Sequence, residues 1–189
     1  QRLLLEGTRV VGAEFLHQGQ VRQIRADKEV LLCAGALQSP QILMLSGIGD
    51  GHRLRELGME THAHLPGVGR HLKDHFSIRL VARVRNAITI NELARVPRLW
   101  GQAASWLRGK PSILALSPSV VHWFWQSQPG LPRPDLQGVF SPASYREGYV
   151  GMLDRFPGMT CGVWQHRPKS MGSVSLACAN PWADPIVQP

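Results

Sequence analysis

The first residues of this sequence whose types and spacing could serve chemistry are small ones that lie between two apolar segments. Residues 30–34 are a continuous apolar run, typical of a strand buried on both faces, and Gly35 follows it. A glycine lets the backbone approach a ligand closely, because no Cβ intervenes. A buried strand, a glycine turn and a helix start together bind nucleotide cofactors in open α/β sheets. The same order occurs in purely structural αβ units, so spacing alone leaves both interpretations open.

Titratable side chains offer a second kind of chemistry. Asp74 and His75 could exchange a proton, but adjacent residues point in different directions, which favours structural hydrogen bonding over an acid–base pair. Among the histidines, His122 and His166 are the candidates for a pocket. The three cysteines lack a CxxC pair and support neither a disulfide framework nor a zinc site, and Cys33 is interpreted as a small core hydrophobe. No metal site is predicted.

A capped apolar helix is predicted just after the glycine turn. Ser39 as N-cap and Pro40 at the first helical position would begin it, and Gly47 would end it. A short second helix is predicted over residues 52–57 and ends at Gly58.

Strands are predicted on both sides of these helices. Residues 9–16 and 20–26 form a hairpin whose turn contains Gly19, and the alternation of the second strand predicts one exposed face. Residues 76–84 also alternate, which predicts a strand. An apolar stripe over residues 91–107 then predicts a helix interrupted by a proline, and a second domain is expected to begin there.

The aromatic run His-Trp-Phe-Trp at residues 122–125 allows two interpretations. It is either a core or interface strand, or a strand of which one side lines a substrate cavity. Aromatic walls with a few polar groups are typical of small-molecule pockets, which keeps the second interpretation open.

Composition excludes several classes of protein. Hydrophobic residues make up 43% and charged residues 18% of the chain, which are values of a globular protein. The net charge of +8 comes from basic residues that are spread singly, which favours a solvated surface over a nucleic-acid site. No apolar run approaches the ~20 residues of a membrane span, and no signal peptide opens the chain. We therefore expect no nucleic-acid partner, no membrane span, and a cytoplasmic rather than a secreted protein.

Four stretches together resemble a known family. GALQSPQILMLSGIG at residues 35–49 resembles the second signature of the glucose-methanol-choline (GMC) oxidoreductases, which are flavoproteins that oxidise alcohols. Residues 65–75 resemble the family's LPGVGxNLxDH segment, with His71 in place of the common asparagine. Residues 134–137 resemble its PDxQ strand, and residues 167–176 resemble its RPKSxGxVxL motif.

The resemblance implies an α/β fold, which becomes α+β when the chain is taken as a whole. The last part of a Rossmann-like FAD-binding domain, residues 1–75, would precede a partial substrate-binding domain with a largely antiparallel sheet and flanking helices, residues 76–168. Residues 169–189 would begin the C-terminal homology region of the family. The chain opens in a strand-like run without an initiator methionine, so an internal fragment of a longer protein is expected.

The resemblance also implies the residues of two sites. The FAD cofactor would contact the backbone of Ala34, Gly35 and Ala36. The substrate pocket would be lined by Trp123, Gln137, Gly138 and Val139. Where most members carry a bulkier residue after the glutamine, Gly138 is expected to enlarge the cavity locally.

The implied reaction is oxidation of a primary alcohol to an aldehyde by hydride transfer to the flavin. Oxygen, or a quinone or other electron carrier, would then reoxidise the flavin. The family's catalytic histidine and its partner histidine or asparagine have no counterpart in this sequence, so no catalytic residue is assigned. A hydroxynitrile-lyase-like member of the family and a non-catalytic binding or structural protein are the alternatives.

Overall fold

The structure is a computed structural model that describes residues 1–117, 119–149 and 151–189. Its helices are α1 (Gly35–Leu45), α2 (Gly51–Glu56), α3 (Ile90–Leu93) and α4 (Arg98–Leu107). Its strands are β1 (Arg2–Glu6), β2 (Arg9–His17), β3 (Gln20–Arg25), β4 (Ile48–Gly49), β5 (Ala63–His64), β6 (Arg70–Leu72), β7 (Ser77–Arg83), β8 (Val121–Trp125), β9 (Leu136–Ser141), β10 (Gly158–Gln165), β11 (Gly172–Ser175) and β12 (Ile186–Gln188). The chain divides into two compact units, residues 1–74 with 169–189, and residues 75–168.

The first unit opens with an antiparallel meander in the order β1-β2-β3. Gln18 and Gly19 form the two-residue turn between β2 and β3, with φ angles of 50° and 76°. Positive φ at both central residues is the signature of the turn that matches strand twist, and the predicted hairpin is confirmed. Both faces of β3 are exposed, including Val21 and Ile24. The expectation that one face of this strand would be buried is therefore wrong.

Residues 30–34 do not form the predicted buried strand. Leu31 is 77% exposed and Cys33 is exposed, so Cys33 is not a core hydrophobe. A strand exists only where a neighbour pairs with it, and no strand in the part of the chain that the structure describes pairs with this run. The run therefore leads into α1 without belonging to a strand.

Helix α1 begins at Gly35, earlier than predicted, and contains Pro40 in its interior. Ser39 is not the N-cap, which is Ala34. The hydroxyl of Ser39 instead accepts a hydrogen bond from the Ala34 N–H at 3.2 Å, which holds the first turn from within the helix. The predicted end is confirmed, since Gly47 follows the helix with a φ of 75°.

The core of the first unit lies where α1 and α2 meet β11. Met44, Leu54 and Leu176 form the buried cluster, and Leu54 is only 1% exposed. Asp50 caps α2 by accepting the His52 N–H at 3.0 Å. Residues 169–189 complete this unit, because β11 and β12 join β6 in one sheet in the order β12-β11-β6.

The second unit is built on a four-stranded antiparallel sheet in the order β7-β10-β9-β8. The helix predicted over residues 91–107 is divided into α3 and α4, with Pro97 between them. Helix α3 is anchored by Asn91, which is 2% exposed, whereas α4 has no buried residue and leaves Trp100 70% exposed. No helix in the described ranges is long and apolar enough to cross a membrane.

Candidate functional site

The predicted cofactor residues lie at the N-terminus of α1. Ala34 is the N-cap, and Gly35 has a φ of 82°, a conformation that residues with a Cβ rarely adopt. A Cβ built on Gly35 would meet no atom within 4 Å, so the backbone here faces open space. The first turn of the helix carries no acidic side chain. No carboxylate in this turn would therefore repel an anionic group at the helix N-terminus.

A cavity of about 220 Å³ adjoins this helix start. It is lined by Ala36, Pro40, Gly69, Arg70, His71, Leu72, Lys73 and Val174. Arg70 and Lys73 bring positive charge to it. Because Pro40 has no backbone N–H, the Ala36 carbonyl does not receive the helical hydrogen bond that the residue four positions later would otherwise donate. Small residues, a helix N-terminus and two cations together suit the phosphate portion of a ligand.

The wall opposite α1 is a close approach between two backbones. Gly69 has a φ of 77°, and its carbonyl accepts the Val174 N–H at 2.6 Å. A Cβ on Gly69 would lie 2.1 Å from the carbonyl oxygen of Val174. Only glycine therefore allows the segment before β6 to lie against β11 beside this cavity.

His71 marks the departure from the family pattern. Its φ of 61° is in the left-handed region, where Asn, Asp and His are more frequent than other residues with side chains. The backbone can thus keep the conformation that asparagine favours. The His71 Nδ1 lies 3.4 Å from the Met171 sulfur, so the ring faces a thioether in this structure.

The predicted substrate residues fall on two faces of the second sheet. Trp123 is directly opposite Gly138 in the β8–β9 register, whereas Gln137 and Val139 are opposite other residues. Because side chains alternate between faces along a strand, Gln137 and Val139 lie on the face away from Gly138. The structure therefore does not bring all four residues into one pocket.

The expected enlargement at Gly138 is wrong. A Cβ on Gly138 would lie 2.1 Å from Cζ2 of Trp123, because the indole ring packs directly over the glycine. The space that the missing side chain leaves is filled by Trp123. The other residues of the aromatic run are more exposed, with Phe124 at 52% and Trp125 at 67%.

The face that carries Gln137 holds a group of polar and aromatic side chains, which we name the His166 cluster. Its members are His75, Phe124, Gln137, Trp164 and His166. The Gln137 Oε1 lies 3.3 Å from the Trp164 Nε1 and 2.8 Å from the His166 Nδ1. The His75 ring is stacked on Trp164, with centroids 6.2 Å apart, and the Phe124 ring meets His166 edge-on at 5.5 Å.

The sequence pointed to part of this cluster only. Gln137 and His166 were candidates, but Trp164 was not, although it directly opposes Gln137 in the β9–β10 register. His75 Nε2 lies 2.9 Å from the His166 carbonyl oxygen, so this ring makes a hydrogen bond to the backbone. The signal that could have joined these residues is the two-residue alternation of paired strands.

A larger cavity of about 780 Å³ opens on the same face of the sheet, towards its other end. Its lining residues are Arg79, Val81, Tyr145, Arg146, Glu147, Gly148, Tyr149, Asp154, Phe156 and Thr160. Its volume lies within the range of about 300–1,000 Å³ that small-molecule pockets span. Sequence reasoning missed it, because residues 145–156 carry no motif.

Asp135 closes the loop between β8 and β9. The Ser127 hydroxyl donates to it at 2.6 Å and the Ser127 N–H at 2.8 Å. These hydrogen bonds hold the pKa of Asp135 below its ordinary value of 3.8, and the bond from the Ser127 hydroxyl has the larger effect. A carboxylate with a lowered pKa stabilises the fold above its unfolded-state pKa, and the contribution is lost as the pH falls through the folded-state value.

We therefore expect Asp135→Asn to be less stable than the parent at neutral pH, and the difference to vanish in acid. The difference should stay constant from about pH 7 to pH 5 and shrink below about pH 4. Chemical denaturation of both proteins across this range measures it. A difference that persists unchanged at the acid end would contradict the role of the ionised carboxylate.

In the described ranges no three His, Cys, Asp or Glu side chains form a group that could hold a metal ion.

Comparison with known proteins defines the class. The family model of GMC oxidoreductase matches residues 1–77. Human mitochondrial choline dehydrogenase is 37% identical over 188 residues, which is 100% of this chain and 32% of that protein. Pyridoxine 4-oxidase from Mesorbium loti is 25% identical, with a TM-score of 0.72 over 100% of this chain and 33% of that one.

The fold agrees with that of a second solved structure. Formate oxidase from Aspergillus oryzae has a TM-score of 0.85 at 21% identity, over 97% of this chain and 37% of that one. The chain therefore has the mixed α/β fold of these solved structures, as the sequence predicted. The chain belongs to the GMC oxidoreductase family, whose members are FAD-dependent flavoproteins. It spans about a third of the length of the curated relatives it matches.

Proposed function

We propose that this chain is part of an FAD-dependent oxidoreductase that oxidises a primary alcohol to an aldehyde. The observation that carries the proposal is the open, cationic helix start at Gly35, within the segment that matches the GMC oxidoreductase family. Relatives named for choline and pyridoxine support a small alcohol as the substrate class.

The residues at the N-terminus of α1 fit one part of FAD. A cavity of about 220 Å³ is smaller than a pocket for a whole dinucleotide, so it would take an anionic portion only. The backbone of Ala34, Gly35 and Ala36 would contact it, and Arg70 and Lys73 would balance its charge. When bound, the flavin supplies the redox chemistry by taking up two electrons and the hydrogen that leaves the alcohol carbon.

The second unit supplies the substrate side of the proposal. The cavity beside Thr160 has the volume for a small alcohol, and the face that carries it also carries Gln137 and Val139. Its polar groups would bind the hydroxyl, while Val81 and Phe156 would exclude water from the carbon skeleton. Trp123 and Gly138 lie on the opposite face, and we propose a packing role for them rather than substrate contact.

The test is anaerobic addition of primary alcohols to the purified full-length protein. We expect visible flavin absorbance to bleach, with formation of one aldehyde per flavin. A hydroxynitrile lyase would cleave its substrate without bleaching, and a protein that purifies without flavin would contradict the proposal outright. Reoxidation by air or by a quinone then identifies the electron acceptor.

Arg70→Ala with Lys73→Ala should lower the flavin content, whereas Lys110→Ala, which replaces a lysine in the other unit, should not.

A further inference from the structure

Helix α4 has two faces of opposite character. One face carries apolar residues in two rows with spacings of three and four, which are Leu99, Ala103 and Trp106, and Trp100, Ala104 and Leu107. The opposite face carries Arg98, Gly101, Gln102, Ser105 and Arg108. A surface helix with this pattern ordinarily turns its apolar face towards the core of the protein.

The polar face of α4 is the one that is bonded to the rest of the second unit. The Gln102 carbonyl accepts the Ser112 hydroxyl at 2.9 Å, and the Gln102 Oε1 accepts the Ile113 N–H at 3.0 Å. The Arg98 Nη1 lies 3.6 Å from the Glu92 Oε1 in α3. These contacts attach the helix through its polar side.

The largest apolar side chains of α4 are exposed as a result. Leu107 is 77% exposed, Trp100 is 70% exposed and Trp106 is 53% exposed. We name these three residues the α4 surface. Large apolar side chains that are exposed together on one helix face mark a site of interaction.

The charges around the α4 surface are all positive. Arg95 and Arg98 lie at the start of the helix, Arg108 and Lys110 lie at its end, and all four are exposed. The sequence contains no Asp or Glu from residue 93 to residue 134. This charge distribution complements an anionic partner and opposes the approach of a second copy of the same surface.

A face of Trp and Leu with basic residues beside it is typical of helices that lie in the interface of a lipid bilayer. The ten residues of α4 span about 15 Å, half of the ~30 Å hydrocarbon core, so the helix can lie on a bilayer but cannot cross it. We propose that the α4 surface binds an anionic lipid bilayer. Trp100, Trp106 and Leu107 enter the headgroup region, and the flanking cations meet the lipid phosphates.

The test is flotation of the purified full-length protein with lipid vesicles. One set of vesicles contains equal parts of phosphatidylcholine and phosphatidylglycerol, and the other contains phosphatidylcholine alone. We expect the protein to float with the anionic vesicles and to bind the neutral ones at least about tenfold more weakly. Added salt should weaken binding to the anionic vesicles, because it screens the attraction between cations and phosphates.

Two double variants separate the apolar contribution from the charge contribution. Trp100→Ser with Leu107→Ser should lower the affinity for anionic vesicles at least about tenfold, because less apolar surface leaves water. Arg108→Gln with Lys110→Gln should also lower it about tenfold, and should leave binding to neutral vesicles unchanged.

The matched control removes one aliphatic and one Trp side chain from the first unit. Ile24→Ser with Trp182→Ser replaces residues that are 60% and 65% exposed, and should keep the parent's affinity for anionic vesicles.

The proposal is overturned if the parent does not float with anionic vesicles, or if neither α4 variant weakens its flotation. A parent that does not float, but whose self-association is lost in Trp100→Ser with Leu107→Ser, would assign the surface to a contact between copies instead. Should that variant lose cooperative unfolding, Arg108→Gln with Lys110→Gln decides the result.

Discussion

Replacement of Gly69 by alanine is expected to destabilise the first unit by more than about 4 kcal/mol and to abolish flavin retention. The new Cβ would lie 2.1 Å from the Val174 carbonyl oxygen, an atom of the backbone that cannot rotate away. The φ of 77° adds about 1–2 kcal/mol for any residue with a Cβ. Relief requires β6 to separate from β11, which breaks the 2.6 Å hydrogen bond between Val174 and Gly69.

The matched control lies two residues earlier. A Cβ on Gly67 would meet no atom within 4 Å, and its φ is not in the left-handed region. Gly67→Ala should therefore change the free energy of unfolding by less than about 1 kcal/mol. Chemical denaturation and the ratio of flavin to protein absorbance measure both variants. Equal stabilities for the two would show that β6 and β11 can separate without cost.

Replacement of Asn91 by alanine is expected to cost about 3–5 kcal/mol in the second unit. Its Nδ2 donates to the Ser144 carbonyl at 2.8 Å and to the Asp154 carbonyl at 3.1 Å. Its Oδ1 accepts the Ser144 N–H at 2.9 Å. Asn91 is 2% exposed and Ser144 is fully buried, so the backbone groups left behind could not bond to water.

Asn91→Asp separates hydrogen bonding from packing, because it keeps the shape and loses both amide donors. We expect it to be at least as unstable as Asn91→Ala, since a carboxylate would face the Ser144 and Asp154 carbonyl oxygens. Gln165→Ala removes an exposed amide from the same unit and should leave the denaturation midpoint unchanged. An Asn91→Asp protein as stable as the parent would contradict this account.

Features set by neighbouring residues could be predicted from the sequence. The turn at Gln18 and Gly19 needs positive φ at both positions, and the stops at Gly47 and Gly58 need the conformation that glycine adopts most easily. The strand predicted over residues 76–84 from its alternation is also confirmed, as β7. The information for each lies within a few residues of the chain.

The beginning of α1 shows where such reasoning stops. Ser39 followed by Pro40 is a sound helix start by local rules, yet the helix begins at Gly35. The Ser39 hydroxyl bonds to a backbone N–H before the helix rather than after it. The local rule therefore places the cap at Ser39, whereas in the structure Ala34 is the N-cap and Ser39 lies within the helix.

By itself the sequence determined the family, the class of fold, the hairpin turn at Gln18 and Gly19, and the glycines that end α1 and α2. Only the tertiary structure decided what the side chains meet. The pairing of β8, β9 and β10 sends Gln137 and Gly138 to opposite faces, fills the space over Gly138 with Trp123, and joins Gln137 to Trp164 and His166. The physical reason is that strand register is a contact between distant segments, and a shift of one residue exchanges the two faces of a strand.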